Sequence, residues 1–208
     1  MARPIFNGAE GLNIRDKFEK LMDLNERIRN CKSCELWRTR NQVIIGEGKL
    51  NSNLMLIAQA PGYKEDKEGK MFVGPSGKKL NELLKYARIE RREIYMTNLL
   101  KCILPHYRRP KNREIEACSG HLDEEIEIVN PRITTTLGYF PAKYVFDKYE
   151  LRDNFNFKKI CGKKFFVEDR IVLPLMHPAA LLYKPEIEEK MKDDYEKLRK
   201  VLDGSVAF

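Results

Sequence analysis

The chain is expected to fold as an α/β protein, a three-layer αβα sandwich around a mostly parallel central sheet of about four strands. Three observations carry that expectation. Short apolar runs alternate along the chain with longer amphipathic segments, the order that builds βαβ units with helices on both faces of a sheet. The run Leu54-Met55-Leu56-Ile57-Ala58 is apolar without alternation, as in a strand buried on both sides. Its polar exit, Gln59-Ala60-Pro61-Gly62, turns sharply before the next helical pattern, and ligands of open α/β sheets sit at such strand ends.

At 208 residues and 24.4 kDa the chain is one domain by size, taken as residues 1–208 with a folded core over about 14–202 and residues 1–13 loosely held. No apolar run approaches the ~20 residues of a membrane span. The first residues, Met1-Ala2-Arg3-Pro4-Ile5-Phe6, lack the apolar core of a signal peptide. A cytoplasmic location, no membrane partner and a monomer are therefore expected. Lys and Arg number 39 against 31 Asp and Glu, a net charge of +8, which favours a polyanionic partner. The basic residues cluster in Arg108-Arg109-Pro110-Lys111-Asn112-Arg113 and in the pairs Lys158-Lys159 and Lys163-Lys164.

Taken in order, Asp16 to Arg29 reads as an amphipathic helix, with Phe18, Leu21, Met22, Leu24 and Ile28 as its apolar set. Val43 to Ile45 suits a short strand and Gly46 to Gly48 a turn. After the strand at Leu54 and a polar loop, Lys78 to Arg88 places Leu80, Leu83, Leu84 and Ala87 on one helical face. Glu93 to Asn98 is a second core strand, followed by a loop over Ile103 to Arg113 and a helix over Glu114 to Val129. The β-branched run Pro131 to Gly138 is a third strand. A short helix over Phe140 to Lys148, a hairpin over Lys163 to Glu168 and Arg170 to Leu175, and a terminal helix over Glu186 to Leu202 complete the chain.

Three of these strands end in a polar side chain: Gln59, Asn98 and His177. If the strands are parallel neighbours, the three side chains converge on one rim of the sheet, where they could hold a small ligand.

Five cysteines without an export signal point to metal or catalysis before disulfides. Cys31 and Cys34 form C-x2-C, a turn that aims two thiolates at one ion. Cys102 and Cys118 are separated by fifteen residues, too wide for a zinc knuckle but suited to a loop and a helix each presenting one thiolate. Four thiolates on separate elements fit an iron–sulfur cluster at least as well as zinc, and Cys118 also fits the apolar stripe of its helix. Cys161 has no partner in this pattern.

The ordered set of motifs resembles the family-4 uracil-DNA glycosylases, the thermophile-type, iron–sulfur members of the uracil-DNA glycosylase superfamily. The set comprises the cysteine pair, Ala58-Gln59-Ala60-Pro61-Gly62 with Glu65-Asp66, Phe72-Val73-Gly74, Thr97-Asn98, Lys101-Cys102, Cys118, Leu137-Gly138 and His177-Pro178-Ala179-Ala180. It spans Cys31 to Leu202. The resemblance implies one glycosylase-like domain that flips uracil out of DNA and hydrolyses its N-glycosidic bond, leaving an abasic site. It implies that Phe72 stacks on the base, Asn98 reads the uracil edge and His177 donates to the uracil O2. Glu65 would lie beside the pocket, and Cys31, Cys34, Cys102 and Cys118 would hold a 4Fe–4S cluster, with zinc the alternative.

Two departures stand out. Gln59 takes the place of the family's usual Glu, after Ala58 in place of Gly, and Ala60 stands where the family-1 enzymes carry a water-positioning Asp. The loop Gly74-Pro75-Ser76-Gly77 also differs from the usual basic-Ala-Gly. These leave open a glycosylase for hypoxanthine or another deaminated base, and a non-catalytic iron–sulfur protein that binds nucleic acid.

For the chemistry, the expected donors to an anionic leaving base are His177, the Asn98 amide, the Gln59 side chain and backbone N–H groups of the Gln59–Gly62 turn. Arg108, Arg109, Lys111 and Arg113 would grip phosphates. Leu181 and Leu182 suit either a wedge that fills the vacated stack or ordinary core positions.

Overall fold

The computed structural model describes residues 12–151 and 155–204; the expectation for the chain's first residues lies, for 1–11, outside them. A six-stranded sheet runs in the order β1-β3-β2-β4-β6-β5, built from β1 (Glu47–Gly48), β2 (Leu54–Ala58), β3 (Tyr95–Asn98), β4 (Ile133–Leu137), β5 (Phe165–Val167) and β6 (Arg170–Leu175). The central four strands are mutually parallel, and the two edge strands are antiparallel to their neighbours. The expected four-strand parallel sheet is this centre.

Every residue of β2 is buried, and its alternate side chains enter opposite layers. Leu54, Leu56 and Ala58 pack with α3 (Pro75–Tyr86) and α7 (Glu188–Leu202), through Leu80, Leu84, Tyr195 and Leu198. Met55 and Ile57 face α1 (Ile14–Arg29), α4 (Asn112–Val129) and α5 (Tyr139–Lys148), through Leu24, Ile28, Leu122, Ile126 and Phe146. An unalternating apolar run is what a strand with helices on both faces requires.

The helices begin where their caps allow. Asn13 caps α1 by accepting from the N–H groups of Arg15 and Asp16 at 2.9 and 3.0 Å. Pro75 opens α3, three residues ahead of the expected Lys78, because a first-turn proline loses no helical hydrogen bond.

Other boundaries differ for identifiable reasons. Val43 to Ile45 is not a strand; the short edge strand is Glu47–Gly48, which pairs with Tyr95 and Met96. The expected polar loop after Gly62 holds a helix, α2 (Tyr63–Glu68), whose buried residues are Glu65 and Asp66. Asp66 accepts from the backbone N–H of Asn41 at 3.0 Å, so α2 is anchored by carboxylates where an amphipathic helix uses leucines. A one-turn helix, α6 (Phe157–Ile160), precedes the β5–β6 hairpin.

Candidate active site

The ladder between β2 and β3 continues past the strands. Leu99 N–H donates to the Ala58 carbonyl at 2.8 Å and Leu100 N–H to that of Gln59 at 3.0 Å. These bonds hold the exits of the two strands side by side, so Gln59 and Asn98 face the same space. His177 arrives from β6, two strands away from β2 with β4 between them. The three strands are thus not all neighbours, yet their end residues line one cleft of about 510 Å³. Ala60, Gly62, Glu65 and Phe72 line it too.

Two of the three polar residues are held in a defined state. Asn98 is buried, and its amide nitrogen lies 3.1 Å from the Met71 sulfur. His177 stands at the head of the turn Pro178–Leu182, where its Nδ1 accepts from the Ala179 N–H at 3.1 Å. Burial pushes its pKa down to about 4. A neutral imidazole that accepts at Nδ1 carries its proton on Nε2, so His177 is a donor without being a cation.

Phe72 closes the opposite wall. Its ring centroid is 6.2 Å from that of His177, with the two planes 29° apart. Phe72 has φ +51°, a conformation rare for a bulky residue and sustained only by its surroundings. Arg91 supplies part of that support, donating to the Met71 carbonyl at 2.7 Å and to Glu47 at 3.2 Å. Glu47 in turn accepts from the Met71 N–H at 3.3 Å. From below, Gly77 packs so closely that a Cβ there would fall 1.7 Å from the Phe72 carbonyl oxygen. Sequence reasoning missed Arg91 and Glu47, which are remote from the motifs and carry no periodic signal.

Glu65 crosses between the two loops of the cleft. Its Oε1 accepts from the Gly74 N–H at 2.8 Å, and a Cβ on Gly62 would meet its Oε2 at 2.6 Å. One carboxylate therefore staples the Gln59–Gly62 turn to the loop that carries Phe72.

Residues 45–202 match the model of the Uracil DNA glycosylase superfamily. The type-4 uracil-DNA glycosylase of Sulfurisphaera tokodaii is 39% identical, over 88% of this chain and 85% of its own. Those of Archaeoglobus fulgidus and Thermotoga maritima are each 33% identical, over 86% and 87% of this chain and 92% and 94% of theirs. The chain belongs to the uracil-DNA glycosylase superfamily, among its type-4 members.

In this superfamily member the four motif cysteines come together on the far side of the β3 exit. Cys31, Cys34, Cys102 and Cys118 border one small cavity with Trp37, Arg40 and His121. Arg40 Nη1 approaches the Cys102 sulfur at 3.1 Å, and the Lys101 N–H approaches that of Cys118 at 3.4 Å. Among the described residues no three His, Cys, Asp or Glu side chains stand close enough to hold one metal ion. Burial raises the Cys102 pKa, against the lowering effect of Arg40, and pushes that of Cys118 up to about 11. The donor set suits a cluster: soft sulfur ligands, two N–H groups aimed at sulfurs and no carboxylate in the lining. Cys161 lies elsewhere, with its thiol pushed up to about 11 by burial.

The basic loop divides. Arg108 Nη1 is bound to Glu114 at 2.9 Å and so is committed to the first turn of α4, against expectation. Arg109, Lys111 and Arg113 are exposed. Lys158 and Lys159 lie in α6, Lys163 and Lys164 lie just before the edge strand β5, and none of the four lines the cleft. Of the two candidate wedges, Leu181 is 7% exposed and packed in the core, which removes it from that role. Leu182 is 41% exposed and lines the cleft. No described helix is long and apolar enough to cross a membrane.

Proposed function

We propose that this chain is a base-excision repair glycosylase that extrudes uracil from DNA into the cleft and hydrolyses its N-glycosidic bond. The observation that carries the reading is a neutral His177 with Nε2–H free for a ligand, facing one cavity with Asn98 and Phe72. A base within a duplex cannot be reached, so the nucleotide is flipped out at a cost of a few kcal/mol. Phe72 then stacks on the base and Asn98 reads its edge. Bond cleavage leaves an oxocarbenium-like sugar and an anionic uracil. His177 and backbone N–H groups of the Gln59–Gly62 turn stabilise the charge growing on the base. A donor that is neutral beforehand needs no counter-ion while the site is empty.

Ala60 cannot act as a base, and Glu65 Oε1 is engaged by the Gly74 N–H. Water therefore captures a cation already formed, with little general-base help. Cys31, Cys34, Cys102 and Cys118 hold a 4Fe–4S cluster that, when bound, ties the Cys31–Cys34 turn to the loop after β3 and to α4. Exposed Arg109, Lys111 and Arg113 contact phosphates, and Leu182 enters the gap left by the flipped base.

Single-turnover excision from a uracil oligonucleotide by His177→Ala and Asn98→Asp tests the assignment. Loss of one such donor costs roughly 100-fold or more in rate, about 3 kcal/mol. Either variant cutting at the wild-type rate removes that residue from the site.

A further inference from the structure

The mouth of the cleft carries a pattern that uracil excision alone does not use. Of nine tyrosines in the chain, three are followed directly by a basic residue: Tyr63-Lys64, Tyr107-Arg108 and Tyr183-Lys184. They lie on three loops far apart in sequence, and all three tyrosines line the cleft. They are also the most exposed large hydrophobic residues described, at 62%, 72% and 82%. Aromatic rings left in water at a cleft rim lose the burial that such side chains normally gain. Tyr107 is held out in a strained backbone, with φ +52° at His106 and +53° at Tyr107. Non-glycine residues in succession at positive φ persist only where the fold enforces them. Exposed cations accompany the rings: Lys64, Lys184 and, beyond the inward-turned Arg108, Arg109.

We propose that these three tyrosines form a stacking platform for unpaired nucleobases on either side of the extruded nucleotide, so that the protein engages single-stranded or locally opened DNA. Aromatic faces beside cations that track a phosphate backbone are how proteins hold single strands without reading sequence. The number of rings argues against an intact duplex as the occupant. In a duplex, one flipped nucleotide uncovers only the inner faces of its two neighbours, which Leu182 can cover from the gap, and every other base stays stacked on both faces. Three rings find three free base faces only on a strand whose neighbours are unpaired. The inference rests on the reading that the cleft accepts a base from DNA, and it adds the residues that hold the unpaired bases beside it.

The test is the affinity of the full-length protein for a labelled uracil-free oligonucleotide, single-stranded and as a duplex, measured by fluorescence anisotropy. Tyr107→Ala and Tyr183→Ala are each expected to weaken single-strand binding about tenfold and duplex binding less than about twofold. Tyr107→Phe and Tyr183→Phe, which keep the ring, restore it. Tyr86→Ala is the control, a 45% exposed tyrosine of α3 outside the cleft lining, and thermal melts confirm folding of every variant. Alanine variants that bind the single strand like wild type, that weaken the duplex equally, or that are not rescued by phenylalanine overturn the platform. Wild-type excision of uracil is scored separately. Absence of excision with the binding pattern intact refutes the excision reading and upholds the platform.

Discussion

Lys101 Nζ donates to the main-chain carbonyl of Asn98 at 3.0 Å, from a position with almost no access to solvent. The same ammonium pairs with Glu125, which is fully buried and also receives the Thr97 hydroxyl at 2.6 Å and the Gly46 N–H at 3.2 Å. A buried ion pair thus holds the backbone of Asn98 from beneath. Removing one partner strands the other charge in the core, which costs about 3–5 kcal/mol. Lys101→Met should therefore lower the melting temperature sharply. The double variant Lys101→Met/Glu125→Leu removes both charges and should recover only part of that stability, because the Gly46 N–H loses its acceptor, and not full excision, since the Asn98 carbonyl still lacks its donor. Denaturant unfolding alongside single-turnover rates checks both halves.

The depressed pKa of His177 fixes how acid affects the protein. Its folded value, about 4, lies below the ordinary 6.5, so the unfolded chain takes up the proton first as pH falls. The residue adds no pH dependence above about 6.5, then a stability penalty that grows down to about 4 and levels off below it. Protonation also places a second N–H against that of Ala179 and breaks the turn's cap. Excision kcat/KM should accordingly show no histidine inflection between about pH 8 and about pH 5 and should fall on further acidification. An inflection near the ordinary histidine value would show that His177 is not held neutral.

Glu65 is expected to act as a staple and not as a base. Glu65→Gln keeps an acceptor for the Gly74 N–H and should reduce excision by less than about tenfold, well short of the loss of an electrostatic donor. Gly77→Ala should cost more. A methyl 1.7 Å from the Phe72 carbonyl cannot be accommodated without moving the wall of the cleft. Rates and melts of the two variants, measured together, separate the roles. A Glu65→Gln loss equal to that of His177→Ala would contradict capture of a preformed cation.

The cysteine assignment makes a visible prediction. Anaerobically purified protein should be brown and contain about four irons per chain. Cys102→Ser and Cys118→Ser should lose iron and stability together, while Cys161→Ser should retain both. Colourless protein carrying zinc would keep the four ligands and change the metal.

The central sheet and the cleft's three polar residues were legible because strand burial and strand exits leave local marks: an apolar run, then an abrupt Gln, Asn or His. The hidden parts share a different property, in that polar groups do the packing. α2 buries Glu65 and Asp66, so no apolar period announces it. Lys101 and Glu125 lie twenty-four residues apart and read as ordinary surface charges until the fold pairs them. Leu181 and Leu182 are adjacent and identical in sequence, and only the turn after His177 decides which enters the core. Arg108 looked like a phosphate ligand because its loop is basic, whereas the buried Glu114 claims it.

The most direct measurement is single-turnover excision by the cluster-loaded wild-type protein on oligonucleotides that differ only in one base: uracil, thymine or hypoxanthine. An abasic site is expected at uracil and none at thymine. Intact uracil after long incubation, or thymine cut as fast as uracil, would contradict it.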